Sequence, residues 1–153
     1  MRAPEALLLA VSLAAFACGG DTTPPPNGAG CVEDARADTY VAGLEKTTEG
    51  GHRVKMLEAR PAPPDRGDNT WTFELADAAG AKVSTATVSV RPWMPDHGHG
   101  STPAMFSGAP AGDGRYGVGP VNFFMPGLWE LTVKVELQGG AIESAKFSFC
   151  VEG

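Results

Sequence analysis

From Leu128 to Leu137 every second side chain is large and apolar. Trp129, Leu131, Val133, Val135 and Leu137 fall on one side, with Glu130, Thr132, Lys134 and Glu136 on the other. A period of two belongs to extended backbone with one buried face, because successive side chains of a strand point to opposite sides. On a helix the same residues would scatter around the circumference. The alternation recurs in residues 70–76, where Trp71, Phe73 and Leu75 share a face, in residues 83–90, and in Ile142–Val151. Looser strands are predicted over residues 40–46, 52–60 and 115–124, the last interrupted near Gly119-Pro120. Gly50-Gly51, Asp77-Ala78-Ala79-Gly80 and Gln138-Gly139-Gly140 read as turns, and residues 61–69 and 100–114 as loops. Twenty glycines and thirteen prolines in 153 residues favour short strands over long helices. The expectation is an all-β chain, an immunoglobulin-like antiparallel β-sandwich of about seven strands.

The first seventeen residues read as an export signal: Arg2, an apolar stretch over residues 6–16, and small Ala17 before Cys18. The apolar stretch is too short to span a bilayer as a permanent helix. Ala15-Phe16-Ala17 fits an ordinary signal-peptidase site, while Ala15-Phe16-Ala17-Cys18 resembles a lipobox that makes Cys18 the lipidated first residue. Three cysteines leave one unpaired in an oxidising compartment. Cys31 and Cys150 bracket the expected domain, and bridging so long a loop contributes about 5 kcal/mol in the chain-entropy model. Lipidation then occupies Cys18; a Cys18–Cys31 bridge with Cys150 free is the alternative. Residues 18–30 have little to bury and read as a disordered tether, leaving residues 31–153 as the domain. The expected setting is the cell envelope, with a lipid anchor in the membrane. In a Gram-negative cell Gly19, where aspartate would retain an inner-membrane lipoprotein, favours the periplasmic side of the outer membrane.

A net charge of -6 without a basic stripe argues against nucleic acid as a partner. No nucleophile motif and no phosphate-binding glycine loop between strand and helix is present, so no enzyme is expected. The chemistry-bearing residues gather where an alternating run ends, in Met94-Pro95-Asp96-His97-Gly98-His99-Gly100, which holds two of the three histidines. Side chains two apart on extended backbone share a face, so His97 and His99 can aim at one ion. Met94, Met105 and Met125 are candidate sulfur donors, and imidazole with thioether is a copper-type set. Against this stands a plainer reading, with His97 and His99 exposed in a flexible loop and Met94 and Met125 as adaptable packing. His52 is isolated and reads as a surface strand residue. Trp71 and Trp129 read as core, and Trp93 as core or site wall.

Tyr40-Val41-Ala42-Gly43-Leu44, Gly67-Asp68-Asn69-Thr70-Trp71-Thr72-Phe73 and Met94-Pro95-Asp96-His97-Gly98-His99 resemble the YtkA-like and FixH-like family. Gly114-Arg115-Tyr116 and Phe124-Met125-Pro126-Gly127-Leu128-Trp129 do so as well. The resemblance implies an exported or membrane-anchored immunoglobulin-like sandwich. Its FixH branch is associated with maturation of copper-containing oxidases, so it implies copper handling through Met94, His97, His99 and Met125. That branch carries a permanent transmembrane helix, which is not expected here, so the lipoprotein form fits better. The competing expectation is a structural or interaction module whose loops present Trp93 and Phe106 to an envelope protein.

Overall fold

The alternating segments form strands, except that residues 83–86 and 40–43, expected as strand, precede β-structure that begins at Thr87 and Leu44. The structure, a computed structural model, describes Cys31 and residues 34–153. The expected signal segment, Cys18 and the tether lie outside the described residues. Among the described residues nine strands are present, rather than about seven: β1 (Leu44–Thr47), β2 (Arg53–Arg60), β3 (Gly67–Ala76), β4 (Thr87–Trp93), β5 (Phe106–Ser107), β6 (Ala109–Gly112), β7 (Arg115–Phe123), β8 (Gly127–Glu136) and β9 (Ile142–Val151). They form two antiparallel sheets, one ordered β1-β2-β3-β7-β6 and the other β5-β4-β8-β9. Among the described residues no helix is long and apolar enough to cross a membrane.

The inner faces of the two sheets make one core. Trp71, Phe73 and Leu75 of β3 meet Leu131, Val133 and Val135 of β8 and Phe147 and Phe149 of β9, all nearly or fully buried. Phe123 and Trp129 stack at 4.4 Å between ring centroids, joining the end of β7 to the start of β8. Burying a side chain of this size contributes roughly 1.5–3 kcal/mol. Tyr116 is equally buried, and its hydroxyl donates to the Val83 carbonyl at 3.0 Å.

Residues 100–114 are not one loop, because β5 and β6 lie within them. Both are edge strands, and β6 is exposed along its whole length, so no alternation marks it in the sequence. Residues 115–123 form one strand rather than an interrupted pair. Opposite Gly119-Pro120 the pairing with β3 shifts by one residue, from Trp71↔Val118 to Asn69↔Val121. This bulge absorbs the proline without breaking the ladder. A Cβ on Gly119 would lie 2.6 Å from the Asn69 carbonyl oxygen, so the close approach depends on glycine. β3 likewise starts at Gly67, inside the expected loop, because buried Asn69 donates to the Asp65 and Gly67 carbonyls at 2.6 and 2.9 Å.

Cys31 and Cys150 are disulfide-bonded, Cα atoms 5.2 Å apart, which fastens the start of the described chain to β9. β9 is the long edge of its sheet, and outward-facing backbone groups on such an edge invite another strand. Here three of them are occupied. The Ser148 amide donates to the Asp38 carboxylate at 2.9 Å, the Ser148 carbonyl accepts from the Asp38 amide at 2.7 Å, and the Ser144 amide donates to Glu49 at 2.9 Å.

Candidate functional site

The end of β4, the end of β7 and the start of β8 converge at one end of the sandwich. Pro92 and Trp93 of β4 pair with Leu131 and Glu130 of β8, and Gly127 pairs with Val151. Beyond Trp93 the chain makes a tight reversal. Met94 and His99 form a β-bridge, the Met94 amide donating to the His99 carbonyl at 2.7 Å. The Met94 carbonyl accepts from Gly98 at 2.9 Å and from His97 at 3.3 Å. Pro95 supplies the fixed φ that the first turn position requires, and Gly98 takes φ +71°, where a side chain would be strained.

The histidines therefore meet by a different route from the expected extended alignment. His97 sits in the turn and His99 on the returning arm, yet their ring centroids lie 5.6 Å apart. Two imidazoles ligating one ion at about 2.0–2.1 Å place their centroids roughly 4.5–5.5 Å apart for ligand angles of about 90–120°. The observed spacing is within a small side-chain adjustment of that range. Directly opposed strand residues share a face, so Met94 and His99 point the same way. Met94 is fully buried, His99 half-buried and His97 exposed.

Gly127 gives these groups their space. A Cβ there would lie 2.7 Å from the Met94 methyl carbon and 3.6 Å from His97 Nε2. The thioether end and the imidazole nitrogen thus face the same point above a residue that has no side chain. Phe124 covers His99 in a stacked arrangement at 5.4 Å and 27°, and meets Trp129 edge-on at 5.5 Å. Trp129 Nε1 donates to the Met125 carbonyl at 3.0 Å, which shapes the Met125-Pro126-Gly127 corner. The Met125 side chain is half-buried and packs against the core, while Met105 is exposed.

Asp96 is turned to a different task. Arg36 donates to both of its oxygens at 2.8 and 2.7 Å and is itself held by Asp34. This guanidinium keeps the Asp96 carboxyl below the ordinary range and the Arg36 proton is bound more tightly than usual. Among the described residues no three His, Cys, Asp or Glu side chains gather as a metal set. The turn itself carries two imidazoles and a thioether. His99 Nδ1 is buried and has no hydrogen-bond partner, an orphaned atom of the kind an ion would satisfy.

The family model described as YtkA-like matches residues 48–134, more than half of the chain. The chain belongs to the YtkA-like family. No curated protein and no solved structure matches it. The matched span of this YtkA-like domain takes in Met94, His97, His99, Met125 and Gly127, and ends before Cys150. Gly127, Phe124 and Arg36 did not stand out in the sequence. Only the Met-Pro-Gly corner gave a signal for the first, and nothing marked Arg36, sixty residues from its partner.

His52 is not the isolated surface residue expected. Its Nδ1 lies 2.9 Å from Glu143, which also accepts a short hydrogen bond from Thr48. The cluster ties the β1–β2 turn to the start of β9, at the opposite end of the sandwich from the Met/His turn. Trp93 is half-buried with the Arg91 guanidinium 4.2 Å above its ring, and Phe106 is half-buried against the core.

Proposed function

We propose that this YtkA-like domain is a non-catalytic copper-binding module of the cell envelope, tethered to a membrane through a lipid on Cys18. It would buffer, sense or deliver the ion on the periplasmic side of an outer membrane. One observation carries the reading: the Met94 methyl and His97 Nε2 flank the space that Gly127 leaves open, and the His99 ring lies 5.6 Å from that of His97. Imidazole and thioether together select copper over harder ions. The interaction-module reading has less support, because Trp93 and Phe106 are each half-covered within the domain.

The test is titration with copper under reducing conditions against a chromophoric chelator, beside a His97→Ala/His99→Ala variant. Stoichiometric binding that the variant loses supports the proposal. Weak binding, equal in the two proteins, sinks it.

A further inference from the structure

Resting on the copper reading, we infer that the site is built for the monovalent ion and that its two imidazoles ligate through different nitrogens. His99 binds through Nδ1, His97 through Nε2, and the Met94 thioether is the third donor. The assignment of His99 follows from burial. Its Nδ1 is sealed from solvent and unpartnered, a position that costs about 1–3 kcal/mol when nothing satisfies it. Phe124 covers one face of the ring, and the backbone bridge to Met94 fixes the residue that carries it. The proton of neutral His99 then sits on Nε2.

The assignment of His97 follows from direction. Its Nε2 faces the same point above Gly127 as the Met94 methyl, so its Nδ1 keeps the proton. Gly127 is thereby a specificity-determining position: a methyl group there would press on the Met94 methyl at 2.7 Å and fill the gap beside His97 Nε2. Its φ of +132° makes that substitution strained as well.

Oxidation state follows from the donor count. Zinc is almost always four-coordinate, and Cu(II) prefers tetragonal nitrogen and oxygen sets. The carboxylate within the turn, Asp96, is held by both arms of Arg36. Two neutral nitrogens and a buried thioether suit Cu(I), or Ag(I) as its redox-inert stand-in.

The chain has only three histidines, so ¹⁵N-histidine labelling gives a spectrum that can be assigned by single substitutions. With one equivalent of Ag(I) added to the disulfide-bonded protein, His99 Nδ1 and His97 Nε2 should shift while both nitrogens of His52 stay in place. Met94→Leu preserves core volume and should lower Ag(I) affinity at least ten-fold with the melting temperature nearly unchanged. Gly127→Ala should do the same, at the cost of some stability. Ag(I) should also bind at least ten-fold tighter than Zn(II). Ligation of both histidines through Nε2, or Ag(I) affinity unchanged in Met94→Leu, overturns the inference while leaving copper binding intact. If Cu(I), Ag(I), Cu(II) and Zn(II) all fail to bind, the copper reading itself falls.

Discussion

Arg36 grips both carboxylate oxygens of Asp96, at 2.8 and 2.7 Å, across sixty residues of sequence. The contact joins the Met/His turn to the segment that the Cys31–Cys150 bridge fastens to β9. Paired forks of this kind fix direction as well as distance. Both side chains are about half exposed, so the pair adds little to overall stability.

Arg36→Ala should therefore separate local order from global stability. We expect unfolding free energy within about 0.5 kcal/mol of the parent protein. Amide exchange at His97 and Gly98, whose N–H groups close the turn on Met94, should quicken several-fold, and copper affinity should fall with it. Unchanged exchange at these two amides would show that the turn holds itself.

The opposite end of the sandwich should set part of the acid response. Hydrogen bonds from Thr48 and then His52 hold the Glu143 carboxyl below its ordinary value of 4.5. A carboxyl depressed in the folded state stabilises the protein above the unfolded value, and this is lost as pH falls through the folded one. Glu143→Gln should cost about 1 kcal/mol at neutral pH. That difference should shrink as urea titrations move below pH 4.5, since protonation then removes the same charge from the parent. A difference constant with pH would contradict the assignment.

Asp38 occupies both outward-facing backbone groups of Ser148 and also pairs with Lys46. Asp38→Ala removes the carboxylate and bares the Ser148 amide on a ten-residue edge strand. Self-association should rise, seen as a concentration-dependent mass by light scattering. A variant that stays monomeric at high concentration would show that other features guard the edge.

What the sequence disclosed follows from where each signal originates. β8 is legible because its buried and exposed faces alternate along the strand itself. β6 is not, because an edge strand with every residue exposed has no face to mark. The bulge at Gly119-Pro120 looked like a break because the extra residue on β7 is recognisable only against its pairing with β3. At the site, Met94, His97 and His99 announce themselves by their chemistry. Gly127, Phe124 and Arg36 act through what they leave open, cover or pull on, and those roles exist only once distant strands have met. His52 was misread for the same reason, since Glu143 lies ninety-one positions away.

X-ray absorption at the copper edge of the Cu(I)-loaded protein tests the central claim most directly. The account predicts a single sulfur scatterer at about 2.3 Å beside two nitrogens at about 2.0 Å, with the sulfur lost in Met94→Leu. A shell of nitrogen and oxygen alone, or a sulfur that persists in Met94→Leu, would contradict it.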